Sequence, residues 1–166
     1  MRGSTLTGGI ALSALLEVEA AIQGLVDHGV LDGYKGHFVV MDPNRPQGEF
    51  VFENAILAEH TLRDGGTPWK YDYVKIARAK AKGSWETGLS SRELVNDGLL
   101  VGDGDAPWAG SIVIKLKNGQ ILVIAFSGYP SEDDESLDWM AYGRMCALGL
   151  KRVPENTLVG GEAVTA

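Results

Sequence analysis

Residues 111–128, SIVIKLKNGQILVIAFSG, decide the fold that this sequence predicts. Two nearly continuous apolar runs are joined at Asn118-Gly119, the residue pair most typical of a tight β-hairpin turn. A type I′ turn at this pair needs positive φ at both central residues. Strands with so few polar positions are central and covered on both faces. The stretch therefore predicts a hairpin at the centre of an antiparallel sheet.

The segments on either side of this hairpin alternate between helical and extended patterns, with turns rich in glycine and proline between them. The expected elements are a helix over 11–27, a strand over 37–42 with GEFVFENA as its hairpin partner, a short helix over 55–62, a helix over 69–85 ended by Gly83, a short helix at SSRELV capped by Ser90 or Ser91, and a final helix from about Ser131 to Leu148. Helices on an antiparallel sheet make an α+β layered domain.

The start of the final helix concentrates negative charge in SGYPSEDDESLDW, residues 127–139. Ser131 with Asp134 approaches a capping-box pattern, and acidic residues in a first helical turn are favoured by the helix dipole. Gly128 can take the positive φ that ends a strand sharply. The stretch is therefore explained as a helix start, while one of its acids lining a site is the alternative.

Bulk composition limits the functions that the chain can have. The 166 residues carry a net charge of −7 with a pI near 4.9, which disfavours nucleic acid and anionic membranes as partners. A single cysteine excludes an internal disulfide framework. No apolar run approaches the roughly 20 residues of a membrane span, and no secretion signal opens the chain. A cytoplasmic location is expected.

The predicted domain organisation has three parts. Residues 1–9 form a leader whose MRGS start resembles an expression-vector sequence, residues 10–149 form one α+β domain, and residues 150–166 form a tail that frays or docks on a neighbour.

Several short motifs together resemble the HbpS-like or GlcG-like haem-degrading family, DUF336. YVKIARAKAKGSWETGLSSREL is similar to its A-x-x-K-A helix, with Ala77, Lys80 and Ala81 at the motif positions. The 107–128 hairpin resembles a later motif of that family, and Ser127-Gly128 with Asp134-Glu135 resembles its SG…DE ending. SGYPSEDD is also similar to UPF0303 proteins. The chain departs from the family at Trp108-Ala109, where a glycine pair is usual, so that only Gly110 remains.

This resemblance implies a profilin-like α-β-α sandwich that assembles into homo-oligomers. It also implies binding of a small ligand, with haem or a small organic acid as candidates. It implies no single reaction, because one fold hosts many functions.

Lys80 is the most informative candidate residue. It shares a helical stripe with Tyr73, Ile76 and Ala77, and the stripe is otherwise apolar. One interpretation is a lysine whose stem packs while its ammonium reaches water. The other is an ammonium that points into a pocket, where it binds a carboxylate or acts in catalysis.

His60 and two acidic groups are the other candidates for chemistry. His60 precedes a glycine-rich break and is a candidate haem ligand or general acid/base, and Glu132 is a candidate proton carrier. Asp103 and Asp105 form a DxD pair that supplies too few oxygens for a calcium site alone. No histidine spacing typical of a zinc site is found, so no metal site is predicted.

Aromatic residues near loop ends complete the candidate site, since such side chains often wall a ligand pocket or an interface. The expected ligand-binding residues are Trp69, Tyr73, Lys80, Trp108, Gly110, Ser127 and Tyr129.

Two functions remain open from the sequence. The first is an oligomeric protein that binds haem or a small organic acid. The second is an enzyme, an isomerase, lyase or hydrolase, that acts on a small carbonyl or carboxylate compound. Lys80 would hold or polarise the substrate, and His60, Asp103 or Glu132 would move protons. A purely structural subunit is a third interpretation.

Overall fold

The computed structural model describes residues 5–98, 108–116, 118–150 and the backbone of 158–159. The α+β prediction is confirmed: four α-helices and a 3-10 turn accompany an antiparallel sheet. In chain order the elements are α1 (Gly8–Asp27), β1 (His37–Met41), the 3-10 turn (Phe52–Ala55), β2 (Ile56–Thr61), α2 (Tyr73–Thr87), α3 (Ser91–Asn96), β3 (Ser111–Leu116), β4 (Ile121–Ser127), α4 (Ser131–Ala147) and β5 (Leu158–Val159).

The five strands have the spatial order β2-β1-β4-β3-β5, and every neighbouring pair is antiparallel. The predicted hairpin lies in the interior of the sheet, because β4 pairs with β3 on one side and with β1 on the other. Five of the seven residues of β4, Leu122–Phe126, are completely buried, as the apolar run predicted.

The two faces of the sheet are covered by different helices. Side chains at alternate positions of a strand point to opposite faces, so Phe38 and Val40 pack with α1 and α4, while Val39 and Met41 pack with α2. Alternate side chains of β3 and β4 likewise point to the two opposite faces of the sheet. The result is the predicted α-β-α sandwich, with two helices on one face and α2 on the other.

The β3–β4 connection differs in detail from the expected turn. The N–H of Leu116 donates to the carbonyl of Gln120, and the N–H of Gly119 donates to the carbonyl of Leu116. Three residues therefore connect the strands instead of two, with Gly119 at φ +87°. A three-residue hairpin that places glycine in the left-handed region is the next commonest solution.

Two predicted elements around β1 are wrong. Within the helix predicted over 55–62, residues 56–61 form the extended strand β2, and β2 takes the place of GEFVFENA as the partner of β1. The second half of GEFVFENA instead forms the 3-10 turn, in which Phe52 and Ala55 are buried. Pairing along β1 decided the conformation here, since tertiary packing overrides local propensity.

The helix ends show which local signals the sequence carried. Ser90, one of the two predicted alternatives, caps α3, and with Glu93 it forms a complete capping box. By contrast, α2 continues through Gly83 and ends at Gly88, which has φ +73°. Pro130 occupies the cap position of α4 without a side-chain hydrogen bond, so the expected N-cap role of Ser131 is wrong.

Helix α1 contradicts the prediction that no apolar stretch of the chain approaches the length of a membrane span. It has 20 residues with a mean hydropathy of 1.5 in its best window, so its length and composition alone would suit a membrane span. In the structure, Ala14, Leu15 and Val18 are buried against the sheet and α4, while Leu12 and Leu16 are exposed.

Regular structure includes residues that the sequence prediction assigned to the leader and to the tail. Leu6 is buried and α1 begins at Gly8, both within the predicted leader. In the predicted tail, Leu158–Val159 pairs with Lys115 and Leu116 of β3 and adds a fifth strand. Asp103 and Asp105 lie outside the described residues.

Candidate functional site

A cavity of about 430 Å³ lies where the first half of α2, the end of β4 and the start of α4 meet. The volume falls within the usual range for small-molecule sites. The lining combines charged and aromatic groups with the backbone that leads into α4: Asp32, Lys35, Lys70, Tyr71, Tyr73, Ile76, Lys80, Trp108, Ser127, Gly128, Tyr129, Pro130, Ser131 and Asp134.

Lys80 provides the positive charge deepest in this cavity. Its side chain is only 2% exposed, and its ammonium donates to the carbonyl of Phe126 and to Oδ2 of Asp134, both at 3.2 Å. Gly110 makes room for it, because a Cβ there would collide with the Lys80 ammonium. Gly110 also has φ +144°, which side chains rarely adopt. The interpretation of Lys80 as a solvent-reaching lysine is therefore wrong.

Asp134 joins the start of α4 to the end of β4. Its Oδ1 accepts the N–H of Tyr129 at 2.9 Å, and its Oδ2 accepts from Lys80. Burial raises the pKa of Asp134 to about 7, although the charge of Lys80 and the backbone N–H groups of Tyr129 and Gly128 oppose this shift. The carboxyl group therefore changes its charge near neutral pH.

Asp138 lies one helical turn after Asp134 and is completely buried. Neither of its carboxyl oxygens has a hydrogen-bond partner among the described residues. Burial raises its pKa well above the usual value, and the neighbouring charge of Asp134 acts in the same direction. Asp138 is therefore a neutral acid at pH 7, because an unpaired buried carboxylate would be too costly.

Tyr129 closes the side of the cavity next to the loop before β1. Its hydroxyl donates to the carbonyl of Gly33 at 2.9 Å, and its ring stacks on Phe126. The ammonium of Lys35 lies 5.7 Å from the centre of the Tyr129 ring. Gly128 permits this arrangement through close approach, since a Cβ there would be 2.5 Å from the carbonyl oxygen of Lys35. The expected positive φ at Gly128 is not adopted.

The opposite wall is a cluster of aromatic rings. The rings of Tyr71 and Tyr73 have centres 6.3 Å apart, and Trp108 lies 6.2 Å from Tyr71. Trp69 contacts Tyr73 at 5.2 Å without lining the cavity. Tyr71 and Trp108 are substantially exposed, so these two rings form the mouth of the cavity.

The predicted ligand-binding residues thus come together in one place, either in the lining or directly behind it. Two predicted catalytic residues do not. His60 lies on β2, where its imidazole bonds Glu19 of α1 at 3.0 Å. Glu132 is exposed on the first turn of α4 and is not part of the described lining.

Sequence reasoning missed Asp134 and Asp138 as site residues. They share an α4 stripe with Leu137, Ala141 and Met145, and all five are buried. Two acidic residues on the apolar side of an amphipathic helix indicate buried carboxyl groups. This pattern was overlooked because the acidic cluster was explained as a helix start.

Two other cavities have similar volumes, about 480 and 430 Å³. The first lies beside Trp85, and the second lies beside the exposed side of α2 at Arg78. Neither has a buried charged side chain among its described lining residues. The Lys80 cavity is therefore the stronger candidate site.

Solved structures with the same architecture were found. HbpS matches with 20% identity over 90% of this chain and 94% of its own, with a TM-score of 0.54. ORFY, a DUF336 protein of Klebsiella pneumoniae, matches with 15% identity over 90% and 95%, with a TM-score of 0.57. The chain has the fold of HbpS and the DUF336 proteins. PduOC, solved as a heme complex, matches with 15% identity over 81% and 91%, with a TM-score of 0.51.

The resemblance in the sequence is thereby confirmed at the level of the fold, which is what identities this low can show. No protein-family model and no curated protein matches the sequence.

Proposed function

We propose that the chain binds a small organic acid in the Lys80 cavity, with the ammonium of Lys80 holding the carboxylate. The observation that carries this proposal is a buried lysine in the wall of a cavity that also presents four aromatic rings. An ammonium with little water around it attracts an anion strongly, since the effective dielectric is low. Lys35 and Lys70 add positive charge to the lining. The aromatic rings favour a flat or unsaturated acid.

Haem fits this cavity less well, although one of the neighbours in fold is a heme complex. The described lining contains no histidine, cysteine or methionine, and His60 is held by Glu19 on α1 instead. Tyrosine can ligate haem iron, but it must lose its proton to do so. Burial raises the pKa of Tyr129 to about 12 and also raises that of Tyr73, which opposes the phenolate form.

Benzoate titration followed by tryptophan fluorescence and calorimetry tests this proposal, because Trp108 lines the cavity mouth. We expect benzoate to bind, while benzamide, a neutral molecule of the same shape, binds at least tenfold more weakly. Hemin added in parallel should produce no Soret shift. Binding of benzamide as tight as that of benzoate would contradict the role of the ammonium.

Lys70→Met and Lys82→Met form a matched pair of variants for the same titration. Lys70 is exposed and lines the cavity, whereas Lys82 is half-buried and lines a different cavity, on the other side of α2. We expect Lys70→Met to weaken benzoate binding and Lys82→Met to leave it unchanged. Equal effects would point to general surface charge and not to this cavity.

An acid/base enzyme using the same cavity is the second candidate. The observation that favours it is Asp134, which contacts Lys80 and has a pKa near the working pH of a general base. Lys80 would hold the substrate carboxylate or carbonyl, and Asp134 would move the proton. Incubation of small 2-oxo acids with the protein in D2O tests this, since proton abstraction would exchange hydrogen next to the carbonyl.

Assembly into a homo-oligomer and a cytoplasmic location are further parts of this proposal. Native mass spectrometry of the purified protein measures the number of subunits and any retained ligand together.

A further inference from the structure

The Lys80 cavity has a charge balance that constrains how an anion can enter. Two carboxyl groups, Asp134 and Asp138, lie near a single ammonium at the deep end of the cavity, and of the two only Asp134 contacts it. Asp138 has no hydrogen-bond donor among the described residues and is completely buried, so it keeps its proton. With Asp134 ionised and Lys80 protonated, the group of three residues is neutral overall.

A carboxylate ligand beside Lys80 disturbs this balance. It brings a negative charge close to Asp134, which already accepts from the same ammonium at 3.2 Å. Two like charges beside one cation in a poorly hydrated site favour protonation of one of them. The ligand is the stronger acid, because burial has already raised the pKa of Asp134 to about 7, whereas a free carboxylic acid ionises near pH 4. Asp134, only 2% exposed, is therefore the group that becomes neutral.

The other charged groups near Lys80 and Asp134 are the next consideration, because a further cation in contact with Asp134 would remove the need for a proton there. Arg92 of α3 forms a salt bridge with Glu135 of α4, and Glu17 of α1 forms a salt bridge with Arg144 of α4 at the surface. The buried side chains of β3 and β4 are uncharged in the described part of the chain. The remaining titratable groups that line the cavity are Asp32, Lys35, Lys70, Tyr71, Tyr73 and Tyr129.

We propose that Lys80, Asp134 and Asp138 form a proton-coupled binding unit, in which Asp134 takes one proton from solvent when a carboxylate binds at Lys80 and Asp138 stays a neutral acid throughout. This inference rests on the proposed function, because it needs an anion at Lys80. No covalent bond changes, and the proton that Asp134 gains is supplied by water or buffer. The consequence is a site that takes up an organic acid as an anion plus a proton.

Calorimetry in two buffers counts this proton without any substitution. Benzoate is titrated into the protein at pH 8 in HEPES and in Tris, whose enthalpies of ionisation differ, and again in a matched buffer pair at pH 5.5. Benzoate is ionised at both pH values. We expect close to one proton to be taken up at pH 8 and close to none at pH 5.5, where Asp134 already carries it. The Kd should rise about tenfold per pH unit above pH 7.

Variants identify the carboxyl group that takes the proton. Asp134→Asn should bind benzoate without proton uptake and without the pH dependence. Asp138→Asn resembles the neutral acid in shape, so its proton count at pH 8 should stay near one. If the count fell to zero in Asp138→Asn and stayed near one in Asp134→Asn, the roles would be reversed and the proposal overturned.

The free protein gives a test that does not depend on benzoate or on the folding of Asp134→Asn. Infrared difference spectra between wild type and Asp138→Asn at pH 8 should show the carbonyl band of a protonated carboxyl group in wild type alone. Absence of that band would overturn the assignment of Asp138. Failure of benzoate to bind would refute the proposed function, whereas binding without proton uptake would refute only the coupling.

Discussion

Breaking the pair of Lys80 and Asp134 should destabilise the fold strongly. Both side chains are 2% exposed, and their charged atoms are 3.2 Å apart. At an effective dielectric of about 20, Coulomb attraction at this distance is about 5 kcal/mol. Removal of one partner from a buried pair costs about 3–5 kcal/mol, because the other charge is left uncompensated. We therefore expect Lys80→Met and Asp134→Asn each to lower the free energy of unfolding by about 3 kcal/mol at pH 8.

The double variant separates the pair interaction from other effects. Replacing both charges leaves no buried ion, so the double variant should lose at least about 2 kcal/mol less than the sum of the single losses. Urea unfolding measures this coupling. With a slope of about 2 kcal/mol per M, a loss of 3 kcal/mol moves the midpoint by about 1.5 M. Losses that add to within about 0.5 kcal/mol would refute the reasoning.

The coupling should also depend on pH in a defined direction. The folded-state pKa of Asp134 is raised to about 7, above the value of about 4 in an unfolded chain. The folded protein therefore binds a proton that the unfolded chain releases, and its stability falls as pH rises through this window. Asn cannot take up this proton, so the cost of Asp134→Asn should shrink as pH rises and should be larger at pH 5 than at pH 8.

Three further substitutions test the packing. Gly110→Ala should lower the melting temperature and abolish benzoate binding, because its Cβ would collide with the Lys80 ammonium and lie 2.9 Å from the carbonyl oxygen of Phe126; a fully stable, binding variant would contradict this. Gly143→Ala should stabilise α4 by about 1 kcal/mol in thermal unfolding, since nothing lies within 4 Å of the new Cβ. Ser90→Ala should cost about 1 kcal/mol through loss of the capping box, with Ser90→Thr as the conservative control.

The sequence predicted best the elements whose environment is local or fully apolar. The β3–β4 hairpin, α1 and the capping box of α3 follow from periodicity, turn residues and capping residues that lie within a few positions of each other. Strand β2 was mispredicted because its partner β1 is separated from it by a long connection. Its side chains are only half-buried, so neither its alternation nor its length distinguished a strand from a short helix.

The site was predicted in part for a similar reason. Lys80 stood out because it interrupts an apolar stripe, and the aromatic residues stood out at loop ends. Asp134 was explained as a helix-start residue, since its partner lies on another helix and no local pattern connects the two. His60 and Glu132 were chosen by residue type alone, and the fold placed them elsewhere.

The order of the strands has a consequence for how the chain folds. Strand β4 pairs with its neighbour in sequence, β3, and also with β1, so that Val39 lies opposite Ala125, which is far from it in the sequence. Closing so long a loop is slow, and topologies rich in such contacts fold slowly. We expect the amides of the β3–β4 hairpin to gain protection from hydrogen exchange before those of β1, and simultaneous protection would contradict this order. Before β1 pairs with β4, the backbone N–H and C=O groups along one edge of β4, the most apolar strand, have no partner. During folding the chain is therefore most vulnerable to aggregation at β4.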